Sequence, residues 1–230
     1  MEQEVRLQII ARVHGDFATK FGIPRQSGLV EELESRIVFE PEFRDANALR
    51  GIEQFSHLWL IWQFSGNADA GWSPTVRPPK LGGNARLGVF ATRSPFRPNP
   101  IGLSSVRLAG VEQDPALGPV LRVTGADLMD GTPILDIKPY VPYTDAHPDA
   151  AQGYTAHTGE GRLRVDFPEA LLARVPEAKR AALIGALAQD PRPGYQSDPN
   201  RVYGFPFAGL EIRFRAADGV LEVVDVGGYA

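Results

Sequence analysis

Hydrophobic and polar positions alternate from the start of the chain. Val5, Leu7, Ile9, Ala11 and Val13 fall on one side and Arg6, Gln8, Ile10 and Arg12 on the other, the period of two expected of a half-buried strand. A loop with Gly22, Pro24 and Gly28 follows, then a short apolar run at 37–39. A small helix is predicted between Asp45 as N-cap and Gly51 as stop. Residues 55–64, FSHLWLIWQF, are aromatic and β-branched and too short for a comfortable helix, so they predict a buried strand. Further strands are predicted at 87–92, 103–111 and 120–124. Short strands between Gly/Pro turns, with few helices among them, favour an antiparallel barrel or sandwich over a doubly wound sheet.

The pattern changes after Tyr154. Residues 168–189 are rich in Ala, Leu, Glu, Lys and Arg, and Pro168 and Pro176 read as first-turn prolines opening two helical segments. Two alternating runs, 210–215 and 220–226, flank the turn signal Ala217-Asp218-Gly219. The expected fold is mainly β: an antiparallel β-barrel domain over 1–150 and a small α+β domain over 151–230, joined through the polar stretch 145–160.

Composition narrows the chemistry. The chain has no cysteine, which excludes disulfide frameworks, thiolate metal sites and cysteine nucleophiles, and it has only four scattered histidines. It lacks an apolar run long enough to span a membrane, and Met1, Glu2, Gln3 and Glu4 do not resemble a secretory signal, so a cytoplasmic protein is expected. The net charge of −4 hides an asymmetry. Between Asp69 and Glu112 there is no acidic residue, while Arg77, Lys80, Arg86, Arg93, Arg97 and Arg107 contribute +6, which leaves −10 for the remainder. Such a patch marks an anionic partner, unless carboxylates from elsewhere in the fold neutralise it.

The patch lies in two irregular stretches, RPPKLGGNAR at 77–86 and GVFATRSPFRPNPIG at 88–102. Glycines and prolines fix the backbone there, and arginine offers a planar fork for phosphate, carboxylate or base edges. Gly82-Gly83 reads as a turn or as an anion nest. A second dense stretch carries Asp127, Asp130 and Asp136 before Lys138 and Tyr140. Three carboxylates in ten residues suggest a divalent metal site or an acid/base pair, but the spacing better fits Asp130-Gly131 closing a hairpin and Asp136 paired with Lys138. His57 lies in the apolar strand and reads as a hydrogen-bonded core residue; His14, His147 and His157 read as solvated. Neither a Rossmann glycine fingerprint, a phosphate-binding loop nor a Gly-x-Ser-x-Gly elbow is present.

Several segments, in order along nearly the whole chain, resemble one family: PRQSGLV at 24–30, Arg50-Gly51, FSHLW at 55–59, PTVRPP at 74–79, LGGNAR at 81–86, 88–102, Asp127 with DGTP at 130–133, DIKPY at 136–140, and DPRP at 190–193 with Tyr195. These are similar to the TsaA-like (TrmO) family of S-adenosylmethionine-dependent tRNA methyltransferases. The resemblance implies a non-Rossmann β-barrel enzyme, working as a homodimer, that methylates N6 of N6-threonylcarbamoyladenosine next to the anticodon, at position 37. Its implied cofactor contacts fall on Pro24, Arg25, Gln26, Ser65, Gly66, Arg93, Leu103, Ala126, Asp127, Leu128 and Met129. The stretch 65–69, SGNAD, departs from the family's histidine-containing pattern. Arg86, Arg97, Asn99, Tyr140 and Arg192 fall on the side of the tRNA anticodon stem-loop. Methyl transfer to a urea-like nitrogen needs its proton removed, and Asp136, Asp190 and Tyr195 are the candidate bases.

The residues suit such ligands. A sulfonium, a carboxylate and an adenine call for a carboxylate, an arginine and a slot, which Asp127, Arg25 or Arg93, and Leu128 with Met129 offer. An unstacked, polyanionic RNA loop suits the basic patch with Phe96, Tyr140 and Tyr195 nearby. Two other readings remain: a non-catalytic barrel that binds RNA or a partner through its arginine face, and a metal-dependent hydrolase built on Asp127, Asp130 and Asp136.

Overall fold

The structure is a computed structural model that describes residues 5–67, 71–78, 81, 85–157, 161–192 and 198–229. The first part of the chain forms β1 (Ala11–His14), β2 (Glu34–Phe39), β3 (His57–Gln63), β4 (Thr75–Val76), β5 (Leu87–Gly88), β6 (Ile101–Asp114), β7 (Gly118–Thr124) and β8 (Pro133–Pro139). Strands β4 and β5 pair only with each other. The other six close into one antiparallel sheet in the order β1-β2-β7-β6-β3-β8, with β8 returning to β1. The closure is uneven. Strand β3 is paired with β6 along its whole length, from His57↔Arg107 to Gln63↔Ile101, whereas β1 meets β8 only at Ala11↔Ile134 and Arg12↔Pro133.

Period-two side chains build the interior. Leu58, Leu60 and Trp62 of β3 point inward and are buried, while His57, Trp59, Ile61 and Gln63 point outward and are half-buried. Val13, Ile37, Val106, Leu121, Val123 and Ile134 complete the core, each fully buried aliphatic side chain contributing about 1.5–3 kcal/mol. His57 is therefore not a core residue: its ring faces out, with Nδ1 2.9 Å from Ser56 Oγ.

The first strand is shorter than its alternation predicts. Val5 and Leu7 are exposed, and pairing begins only at Ile10, whose N–H donates to Ile134 O and whose carbonyl accepts from Glu40 N. The predicted strand at 87–92 stops at Gly88 and turns over 89–91, closed by Thr92 Oγ1 donating to Val89 O. The predicted helix at 45–51 is a single 3-10 turn, Ala46–Leu49, capped by Asp45 through Asn47 N. Asp130-Gly131 does not close a hairpin, because β7 and β8 are not neighbours; residues 125–132 carry the chain across the end of the closed sheet between them.

After α1 (Pro142–Asp145) come β9 (Arg164–Asp166), α2 (Glu169–Leu172), α3 (Glu177–Ala188), β10 (Tyr203–Phe207), β11 (Leu210–Ala217) and β12 (Val220–Gly228). The sheet order is β10-β11-β12-β9, with β9 parallel to β12. Pro168 and Pro176 sit one residue earlier than the first helical turn, as extended N-cap residues. Asp218 and Gly219 both take positive φ, the geometry of the two-residue hairpin turn their sequence signals.

Leu183, Leu187, Phe205, Phe207, Ile212, Phe214 and Leu221 form a second core, and Phe17, Val30 and Leu33 from the loop between β1 and β2 are buried in it. The Phe205 ring lies so close over Gly22 that a Cβ there would stand 2.4 Å from it. An early loop of the sequence is thus packed with the last strands.

Candidate active site

Three loops converge on one end of the closed sheet. The loop at 24–28 is tied to the loop after β7 by Gly28 N donating to Gly125 O at 2.9 Å. Gln26 Oε1 accepts from Arg93 Nη1, which brings in the loop before β6. The segment 190–192 closes the group, with Arg192 O accepting from Arg25 Nη2 at 3.2 Å.

Asp127 is the focus of this arrangement. Its Oδ1 accepts from Ser104 Oγ at 2.6 Å, and Ser104 Oγ accepts from the indole Nε1 of Trp62 at 3.0 Å. Burial pushes the Asp127 carboxyl up from the usual carboxylate range; the Ser104 hydrogen bond, the Arg93 charge and the Ser27 N–H draw it back down. A half-buried carboxyl group facing a guanidinium, with backbone N–H groups at hand, has the chemistry to accept a small ligand that carries both signs of charge.

The other expected site residues divide. Pro24 is buried, Arg25 exposed and Gln26 half-buried at the rim. Ala126 and Leu128 are buried against the closed-sheet core. Met129 is half-buried, its carbonyl accepting from Thr132 Oγ1. Ser65 and Gly66 follow β3 directly in an exposed 3-10 turn. Leu103 points away from Asp127: it shares an outer row with Ile61 and Asp136, on the face opposite its neighbour Ser104, which is inward and buried.

Asp136 on that outer row is paired with Lys138 at 2.9 Å. Tyr140 packs on Trp59 and reaches His57 through its N–H, roughly 10 Å along the strand from the row of Ser104. Asp190 gives both oxygens to Arg192, at 2.8 and 2.9 Å, and Arg192 Nη1 donates to Ala216 O; the Asp190 bond raises the guanidinium pKa further. This pair is spent on shaping the segment that meets Arg25. Tyr195, Lys80, Gly82 and Gly83 lie outside the described residues.

In the cationic loops Arg77, Arg86 and Arg93 are exposed, as is Asn99. Arg97 is half-buried and folds back on its own loop, donating to Thr92 O and Ser94 O. Asp127, Asp130 and Asp136 do not gather: Asp130 faces Gly15 N and His14, which is therefore not simply solvated. Among the described residues no group of three or more acidic or histidine side chains is placed to hold a metal. Sequence reasoning missed Ser104, Trp62 and Ser27. For Ser104 the only local sign was its inward place in an alternating strand.

Residues 12–146 match the tRNA-methyltransferase O N-terminal domain, and residues 160–228 match the TrmO C-terminal domain. The chain belongs to this family. It is 40% identical to the tRNA (adenine(37)-N6)-methyltransferase of Escherichia coli over 93% of its own length and 94% of the relative's. It is 41% identical to a putative S-adenosylmethionine-dependent methyltransferase, RcsF, of Pseudomonas aeruginosa, covering 95% and 96%. A crystal structure of TrmO from P. aeruginosa superposes with a TM-score of 0.80 at 35% identity, covering 100% of this chain and 99% of that one. Both sheets of this tRNA-methyltransferase O family member thus lie within the matched length.

Proposed function

We propose that the chain transfers the methyl group of S-adenosylmethionine to N6 of adenine 37 of tRNA, with the threonylcarbamoylated base as substrate. The observation that carries this reading is the convergence of Arg25, Gln26, Arg93 and Asp127 from three separated loops at one end of the closed sheet. These residues fit the donor by their chemistry. Arg25 and Arg93 suit its carboxylate, and Asp127 suits a hydroxyl or cationic group. The donor supplies an electrophilic methyl on sulfur. The chain's own contribution is alignment: it holds the accepting nitrogen, methyl and sulfur in line and keeps water out, the main source of acceleration in a displacement of this kind.

The exposed Arg77, Arg86 and Asn99 beside Phe96 form the face for the anticodon loop, with phosphates neutralised by the arginines and unstacked bases on the aromatic ring. Arg97 and Arg192, bound within the chain, shape the rim of that face. Asp136 and Asp190, both held in ion pairs, and Tyr195 as its phenolate are the candidates for taking the nitrogen's proton. We read the closed sheet as a barrel-type catalytic domain over 1–150 and the second sheet as a C-terminal domain over 151–230, in a cytoplasmic homodimer. Leu103 and Ile101 lie exposed on the outer row and give a second copy an apolar seat there.

The test combines purified protein, S-adenosylmethionine and anticodon stem-loops with and without the threonylcarbamoyl group, read by nucleoside mass spectrometry. The expected result is one added methyl on the modified base only. No methylated nucleoside, under conditions in which both ligands bind, overturns the proposal.

A further inference from the structure

We propose that Ser104 and Trp62, neither of which lies on a donor-contacting loop, are positioning residues for the methyl donor: they hold the Asp127 carboxylate charged and in one orientation. This rests on the reading above, that Asp127 contacts the donor. The direction of the chain of bonds carries the argument. An indole N–H can only donate, so Ser104 Oγ must accept from Trp62, and its single proton is left for Asp127 Oδ1. Ser104 is buried, and the 2.6 Å bond lies in the range of a charge-assisted one. The sequence of N–H to O–H to carboxylate has one polarity and favours the ionised acid.

The fold secures each member. Trp62 and Ser104 are held on adjacent strands by the β3–β6 register. The indole lies across Gly102, where a Cβ would stand 2.2 Å from it, and Phe64 braces it at a centroid distance of 4.3 Å. Among the described residues the charged group that acts on Asp127 is the Arg93 guanidinium, and the backbone N–H groups of Asp127 itself and of Ser27 also favour its ionised form. Burial alone favours the neutral acid, which would be a poor partner for a cationic or hydroxyl-bearing ligand. The Trp62–Ser104 pair opposes that tendency from inside the core.

Calorimetric titration with S-adenosylmethionine, from alkaline pH down to the lowest pH at which thermal melts show the protein folded, tests this. In Ser104→Ala the donor affinity is expected to fall about tenfold near neutral pH. Its acid limb should move to higher pH, since the carboxyl then needs less acid to become neutral, and the deficit should shrink at the alkaline end. Ser104→Cys, a weaker donor of nearly the same size, should lie between, and Trp62→Phe should lose about two- to threefold. Thermal melts of each variant identify the folded ones. If Ser104→Ala and Ser104→Cys keep the wild-type pH profile while Asp127→Asn loses affinity, the positioning role is overturned and the donor site stands. If Asp127→Asn itself binds normally, the donor-site reading falls and the inference with it.

Discussion

The two sheets are built to different ends. The core of the second is aromatic and aliphatic, with Phe205, Phe207 and Phe214 fully buried: Phe205 stacks on Phe17, Phe207 meets Phe17 edge-on, and Phe214 stacks on Tyr203. Among the described residues the buried serines and threonine, Ser35, Ser104 and Thr132, belong to the first sheet and its connecting loop, while the second core buries the hydroxyl of Tyr203. Burying a hydroxyl costs free energy unless it is hydrogen-bonded, and Ser104 and Thr132 are bonded to the segment that carries Asp127 and Met129. One region is therefore arranged around a polar site, and the other supplies packing that grips the loop leading to Pro24, Arg25 and Gln26.

The strongest test of that division is Phe205→Ala. Removing a fully buried ring should cost about 3–5 kcal/mol in chemical denaturation. Because Phe205 seats Gly22 and Phe21, the folded fraction should also bind the donor more weakly in calorimetry. Undiminished affinity would show that the second region does not hold the site loop. Arg93→Ala should do the reverse: donor affinity about 10- to 100-fold weaker, with the melting temperature unchanged, because the side chain is exposed. Gly102→Ala comes next. A methyl group 2.2 Å from the Trp62 ring must displace the indole, at about 1–3 kcal/mol of stability in denaturant titration, and it disturbs Ser104 with it.

The smallest expected effect is a pH dependence. The folded Asp127 carboxyl titrates above its ordinary value because burial penalises its charge. Its contribution to stability is then fully present below the unfolded value of about 4 and is lost as the pH rises through the folded value. The melting temperature of ligand-free wild type should fall relative to Asp127→Asn across that window. A difference that stays constant with pH would mean the carboxylate is not charged against a burial cost.

Much of this was legible in the residues. Strands β3 and β6, the turn at Asp218-Gly219, the helix α3 and the Asp136–Lys138 pair all follow from local composition and spacing, although β3 alternates between inward and outward side chains where the sequence predicts a buried strand. Strand β8 was hidden because the aspartates before and within it and its terminal prolines suggested a turn, and the closed sheet, not the local pattern, makes it a strand. Leu103 and Ser104 are adjacent in sequence and end on opposite faces, a separation that follows from period two once the inward face is known.

The sequence by itself determined which segments are extended, where the chain turns, and that cationic loops interrupt an otherwise acidic protein, because backbone preference, side-chain period and charge are properties of a few neighbouring residues. Only the tertiary structure decided the partners. Trp62 meets Ser104 across 42 residues and Ser104 meets Asp127 across 23, and Phe17 is buried with Phe205. Each of these depends on sheet register and closure, where burial summed over distant strands outweighs anything a short stretch of chain can express.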